Sequence, residues 1–157
     1  YKYLYDMKKE ISYFRSLLEQ YLNEHHPEMM NSRSFIENRA EAALTTYADA
    51  VKNGITHTEA EMQATEVLYK GLLFSAYDMI VEILWNEFSD TIPQGLAERL
   101  AAILLGSAGV RNTIASYQPD DEFDSSPDYD LLYTELTGVI ELIIEKNELP
   151  VFGSAQV

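Results

Sequence analysis

The sequence predicts an all-α protein, a single-domain bundle of five to seven helices around one central apolar helix. Apolar residues recur every three or four positions along most of the chain, which is the spacing of one helical face. No stretch alternates cleanly between apolar and polar residues, and no two-residue hairpin turn is visible, so strands are not expected. The length of 157 residues suits one domain with a buried core. We therefore predict a single helical domain over residues 1–157, with an acidic loop at 117–128 and a loose tail at 148–157.

The central helix is predicted at residues 75–88, inside the most apolar stretch of the chain. This stretch contains the only tryptophan, Trp85, which we expect to fill the core. A helix that is apolar around most of its circumference is expected to be buried. Whether its one polar stripe meets solvent or a buried polar site is left open. The stripe consists of three residues spaced four apart: Asp78, Glu82 and Asn86.

Helix one is predicted over residues 3–24, and Pro27 ends it because the residue before a proline is kept out of the α region. The segment around Pro27 carries two adjacent histidines, His25 and His26, which are the first candidates for metal ligands. Adjacent residues on a helix diverge by about 100°, so these two cannot easily share an ion. We interpret them as a histidine-bearing helix C-terminus, where the helix dipole favours positive charge.

Helix two is predicted from Ser32 or Ser34 to Asn53, with Ser34 and Glu37 as a capping box. Its expected buried face is rich in alanine, so a neighbouring helix can approach closely. A homodimer in which this face packs against its copy across a two-fold axis is also left open. This face comprises Ile36, Ala40, Ala43, Tyr47 and Ala50.

Helix three is predicted to begin after Thr56, with Glu59 completing a capping box. We expect Gly71 to end it and Ser75 to cap the central helix, because glycine inside a helix costs about 1 kcal/mol relative to alanine. The alternative is one helix that continues through Gly71. His57 has no partner at ligand spacing, so we interpret it as a surface residue.

The second half of the chain predicts helix five at about 93–105, a short helix ending near Ser116, and a last helix from about Ser126 to Asn147. Between the last two lies the sequence YQPDDEFDSSPD at 117–128. Its prolines, serines and carboxylates are typical of a loop.

The net charge of −15, from 26 acidic and 11 basic residues, excludes several functions. Direct binding to a nucleic acid requires a basic face that displaces counterions, so it is not expected, and neither is binding to an anionic membrane. The absence of cysteine removes disulfides and thiolate chemistry. No apolar run reaches the roughly 18–20 residues of a membrane span, and no signal peptide is visible. We predict a cytoplasmic protein.

The sequence predicts no catalytic residue, no cofactor and no metal, and it leans against an enzyme without deciding the matter. A di-metal helical bundle needs Glu-x-x-His pairs, and no histidine here has a glutamate three residues before it. A carboxylate-metal enzyme built on Asp78, Glu82 and Glu135 is therefore the least favoured alternative. A calcium loop starting at Asp124 would have Tyr129 where a glycine is needed. A weaker cation site in this loop is left open.

The remaining candidate function is a non-enzymatic adaptor or protein-interaction module. The acidic loop presents carboxylates around one aromatic residue, and a basic protein partner would suit it. The predicted partner-binding residues are Asp120, Asp121, Glu122, Phe123 and Asp124. The alternative is an acidic nucleic-acid mimic that blocks a DNA-binding protein, which requires carboxylates spaced like phosphates on one surface.

Three local patterns resemble a known family. They are FIxxRA at 35–40, GLxFSxYD at 71–78 and YDxLYxELTG at 129–138. In this order they resemble a family of small helical Bacteroidetes proteins of unknown function, whose members often lie in conjugative-transposon regions. The resemblance implies an all-helical domain and a mobile-element context. It implies no catalytic residues.

Overall fold

The computed structural model describes the backbone of residues 2–146 and the side chains of residues 10–146. Within that range the chain is all-helical and contains no strand, which confirms the predicted fold class. None of the described helices combines the length and the apolar character that crossing a membrane requires. The predicted loose tail at 148–157 lies outside the described residues. The seven α-helices are α1 (Lys2–His25), α2 (Arg33–Lys52), α3 (His57–Leu68), α4 (Ala76–Glu87), α5 (Ala97–Leu104), α6 (Ala108–Tyr117) and α7 (Asp128–Glu145).

The chain divides into two compact units on either side of the bond between Leu73 and Phe74. Unit 1 contains α1 to α3 and unit 2 contains α4 to α7, and each unit has its own cluster of buried apolar side chains. The apolar helix predicted at 75–88 is α4, and it contributes to the cluster of unit 2. That all residues form one domain stays a prediction.

In unit 1, α2 packs against both α1 and α3. The alanine face of α2 makes this packing possible, because Ala40 and Ala43 are fully buried and allow close approach of the neighbouring helices. The face that was expected to be available to a second copy is thus used inside unit 1. The buried cluster consists of Phe14, Leu18, Leu22, Ile36, Ala40, Ala43, Leu44, Ala64, Leu68 and Leu72.

The start of α2 lies at the predicted Ser32, but the predicted capping contacts are not formed. Ser32 is the residue before the helix, and its side chain makes no capping hydrogen bond. Glu37 does not complete a capping box, because it forms a two-pronged ion pair with Arg15 of α1. Arg15 Nε lies 2.6 Å from Glu37 Oε1, and Nη2 lies 3.1 Å from Oε2. A guanidinium and a carboxylate paired in this way make two charge-assisted hydrogen bonds.

The starts of α3 and α4 confirm Thr56 and Ser75 as the predicted caps. Thr56 Oγ1 accepts a hydrogen bond of 3.3 Å from the backbone N–H of Glu59. Ser75 Oγ accepts one of 3.0 Å from the backbone N–H of Asp78. Gly71, with φ at +82°, separates the two helices as predicted.

Replacing Gly71 by alanine is expected to lower the free energy of unfolding by about 1–2 kcal/mol. A Cβ atom at this position would meet no atom within 4 Å, so the cost comes from the left-handed backbone alone. Urea unfolding followed by circular dichroism measures the difference. The matched control is Gly95→Ala, because Gly95 also has open space but no positive φ. A Gly71→Ala variant as stable as Gly95→Ala would contradict the backbone argument.

In unit 2, α4 packs against α5 and α7 and buries the face Met79, Ile80, Val81, Ile83 and Leu84. The prediction that Trp85 fills the core is wrong, because its side chain is 42% exposed. Trp85 follows Glu82 by three positions and therefore lies on the side of α4 that carries the polar stripe. The stripe itself is exposed.

The other helices of unit 2 lie close to their predicted places. A 3₁₀ turn at Gln94–Leu96 leads into α5, α6 follows as the short helix, and α7 begins at Asp128. The predicted acidic loop is shorter than expected, because Tyr117 still belongs to α6 and a further 3₁₀ turn occupies Phe123–Ser125.

Candidate functional site

A cleft of about 210 Å³ opens on unit 1. All three helices of the unit contribute to its wall. Phe14 supplies a fully buried apolar side, and its ring lies 5.2 Å from that of Tyr13 and 6.3 Å from that of Tyr47. The lining residues are Glu10, Tyr13 and Phe14 from α1, Tyr47 from α2, and His57 and Glu61 from α3.

Two hydrogen-bonded pairs join the helices around this cleft. The Tyr13 hydroxyl donates to Glu61 Oε1, which connects α1 to α3. The Tyr47 hydroxyl is hydrogen-bonded to Nδ1 of His57, which connects α2 to α3. The rings of Tyr47 and His57 also meet edge to face, with their centroids 5.1 Å apart.

The electrostatics of the cleft are negative. The hydrogen bond to Glu61 raises the pKa of Tyr13 to about 12, and burial and the charges of Glu61 and Glu10 act in the same direction. Burial, followed by the charges of Glu10 and Glu61, also raises the pKa of Tyr47. Both hydroxyls therefore stay protonated at neutral pH, and neither is a phenolate nucleophile.

His57 was predicted to be a surface residue with no partner at metal-ligand spacing, and its exposure agrees with this prediction. The side chain is exposed, and it is also hydrogen-bonded to Tyr47, a contact that the sequence did not reveal. The two residues are ten positions apart on different helices, so no spacing rule within one helix reveals the pair.

The adjacent histidines at the end of α1 point to different partners. His26 is 6% exposed, and its Nε2 lies 2.7 Å from the carbonyl oxygen of Leu72. The same carbonyl accepts a hydrogen bond of 3.1 Å from the Tyr21 hydroxyl. His25 is the last residue of α1, as expected for a histidine-bearing C-terminus, and its ring lies 4.7 Å from that of Tyr21. His26 thus secures the segment after α3 instead of joining His25 at a shared site.

The predicted partner-binding residues, 120–124, form an acidic segment between α6 and α7. Asp120, Glu122 and Asp124 are exposed, and Asp121 is half-buried. Phe123 requires a correction, because it is only 4% exposed and is not presented to a partner. Its ring packs in the core of unit 2, with centroid distances of 4.8, 6.2 and 6.4 Å to Phe74, Tyr129 and Tyr117.

The carboxylates considered as metal ligands do not converge. Because α7 begins at Asp128, the later ligand positions of a calcium loop starting at Asp124 would lie on a helix. Glu82 and Glu135 are exposed, and Glu82 Oε2 lies 3.5 Å from the Tyr129 hydroxyl. Among residues 10–146, no group of three or more histidine and carboxylate side chains is placed to hold a metal ion.

The comparisons with known proteins agree with the resemblance carried by the three sequence patterns. A family model described as "Domain of unknown function (DUF1896)" matches residues 6–149. The chain belongs to the DUF1896 family. The crystal structure of protein PG0816 from Porphyromonas gingivalis is similar, with 52% sequence identity and a TM-score of 0.88, and the match covers 92% of this chain and 97% of that chain. Curated proteins include no significant match.

This DUF1896 chain distributes its exposed carboxylates over both units. Every described helix except α6 carries at least one. Examples are Glu19, Glu41, Glu66, Glu82, Glu98 and Asp130. Nothing in this distribution measures spacing along a surface, so the nucleic-acid mimic stays a prediction.

Proposed function

We propose that this DUF1896 protein is a non-enzymatic, cytoplasmic interaction module that binds a basic protein partner. The observation that carries the proposal is the acidic segment at 120–124, where the buried ring of Phe123 anchors a turn whose neighbouring carboxylates are exposed. A mobile genetic element is the context that we propose for it, because the resembled family often lies in conjugative-transposon regions.

The anchored turn favours binding because its backbone is ordered before a partner arrives. Asp120 Oδ1 accepts a hydrogen bond of 3.0 Å from the backbone N–H of Glu122, and Ser126 Oγ donates one of 2.8 Å to the carbonyl of Phe123. A preorganised segment loses less conformational entropy on binding than a flexible loop does. The net charge of −15 would also accelerate the encounter with a basic partner.

A non-enzymatic role is supported by the state of the polar groups in the cleft. Tyr13 and Tyr47 have raised pKa values because of the carboxylates and the burial around them. Neither hydroxyl is thereby activated for nucleophilic attack, and the cysteine-free chain has no thiolate.

The test is a variant that removes three charges from the acidic segment, Asp120→Asn, Glu122→Gln and Asp124→Asn. Each exposed ion pair contributes about 0.2–1 kcal/mol, and about 1.4 kcal/mol corresponds to a tenfold change in affinity. We therefore expect about tenfold weaker binding of a lysine-rich peptide, measured by calorimetry at low salt. Partners retained from a host lysate should be lost in parallel.

The matched control removes three exposed charges elsewhere in unit 2, with Glu98, Glu141 and Glu145 each changed to glutamine. This control has the same net charge as the segment variant but keeps the acidic segment intact. Equal binding by the two variants would show that only overall charge matters. Identical partner sets for the wild type and the segment variant would remove the segment from the proposal.

A further inference from the structure

The cleft of unit 1 has the size of a site for one small chemical group. Its volume of about 210 Å³ lies below the roughly 300–1,000 Å³ of pockets that enclose drug-sized ligands and cofactors. The end of a single side chain, or a small amine, is the kind of ligand that such a space accommodates.

The charge of the lining selects against anions. Glu10 and Glu61 face the cleft from α1 and α3, and both are half-buried. Neither lysine nor arginine is among the residues that line this cleft. Because carboxylates in a partly enclosed space focus negative potential, a phosphate or carboxylate ligand would be repelled and a cation attracted.

The aromatic rings supply a second attraction for the same kind of ligand. Tyr13 is 42% exposed and Tyr47 is half-buried, so both tyrosines line the cleft while part of each remains accessible. The face of an aromatic ring carries a negative quadrupole that attracts ammonium and guanidinium groups. Phe14 is fully buried, so it supports the Tyr13 and Tyr47 rings through its contacts with them and offers no surface to the ligand.

We propose that this cleft binds one alkylammonium or guanidinium group, supplied by a lysine or arginine side chain of the protein partner. Glu10 and Glu61 neutralise the charge, and Tyr13 and Tyr47 contact the cation with their rings. The inference rests on the proposed function in one respect, because the protein partner supplies the cation. It is independent of the acidic segment, because the cleft belongs to unit 1 and the segment to unit 2.

The binding experiment is an NMR titration of the whole chain with lysine and arginine blocked at both backbone ends. Blocked norleucine, which has a similar stem without the charge, is the neutral comparison, and spermidine represents free amines. With blocked lysine and with blocked arginine, we expect saturable changes in the chemical shifts of Tyr13, Tyr47 and His57. Blocked norleucine should produce none.

The variant that tests the site is Glu10→Gln with Glu61→Gln, which removes both charges and keeps an acceptor for the Tyr13 hydroxyl. The matched control is Glu19→Gln with Glu66→Gln, which removes two exposed carboxylates from the same helices, α1 and α3. We expect about tenfold weaker binding of the cations by the cleft variant and no change in the control. Circular dichroism confirms that both variants are folded.

A second variant keeps the test informative if the double substitution unfolds the protein. Tyr13→Leu removes the aromatic face and the hydroxyl while it retains an apolar side chain, and Tyr13→Phe removes the hydroxyl alone. We expect Tyr13→Leu to weaken binding of the cations more than Tyr13→Phe does. Equal affinities for these two variants and the wild type would overturn the role of the ring.

Two results would overturn the inference as a whole. If the cations cause equal chemical-shift changes in the cleft variant and in its control, they bind by overall charge only. Binding of spermidine without binding of the blocked residues would remove the assignment to a protein side chain. Neither result bears on the acidic segment, whose own variant and lysine-rich peptide decide the proposed function separately.

Discussion

Replacing Phe123 by alanine is expected to lower the free energy of unfolding by about 3–5 kcal/mol, as is usual for a phenylalanine removed from a core. The ring is 4% exposed and packs against Phe74, Tyr117 and Tyr129. Its loss leaves a cavity between the acidic segment and α7, and the surrounding rings can collapse into it only in part. Urea unfolding followed by the fluorescence of Trp85, which also lies in unit 2, measures the effect.

The control for Phe123 is its exposed neighbour, changed as Asp124→Ala, which should alter stability by no more than about 0.5 kcal/mol. The same pair of variants separates the two interpretations of the segment. A Phe123→Ala variant with unchanged stability but weaker partner binding would restore the aromatic contact that the sequence predicted. A large loss of stability places the ring in the core and leaves the carboxylates as the partner-binding candidates.

Replacing Leu84 by alanine is expected to lower the free energy of unfolding by about 2–5 kcal/mol. Leu84 is 1% exposed on the face of α4 that packs in the core of unit 2. Removing its side chain costs the transfer of buried apolar surface and leaves a cavity. Thermal and urea unfolding followed by circular dichroism give the difference.

The adjacent residue on the same helix provides the comparison. Trp85→Ala removes a larger side chain, yet we expect a loss of less than about 1 kcal/mol, because Trp85 is 42% exposed. The smaller side chain, Leu84, is thus expected to cause the larger loss of stability. A Trp85→Ala variant at least as destabilised as Leu84→Ala would favour the sequence-based interpretation of Trp85 as a core residue.

The features that could be predicted from the sequence are those whose cause lies within a few residues. Thr56 caps α3 and Ser75 caps α4 through hydrogen bonds to backbone groups three positions later. Gly71 separates these helices because its own backbone has a positive φ. The three resemblance patterns likewise identified a family of unknown function, and the DUF1896 match confirms it.

The features that were missed depend on partners far along the chain. Glu37 has a capping position three residues after Ser34, but Arg15, 22 positions earlier, pairs with it instead. The cleft combines side chains from three helices, and the spacing within one helix does not tell which residues of the other two it will face. A histidine, two tyrosines and two glutamates scattered over the chain carry no signal until the helices pack.

The sequence by itself determined that the protein is all-helical, where most helices begin and end, and that its surface is strongly acidic. The spacing of apolar residues along a helix, the capping residues and the net charge are local or additive properties. They can therefore be predicted without knowledge of how the helices pack. Only the tertiary structure decided which side of α4 is buried, where Phe123 lies, and that Glu10 and Glu61 share a cleft. These outcomes depend on which surfaces meet, because burial and pairing are properties of contacts between elements.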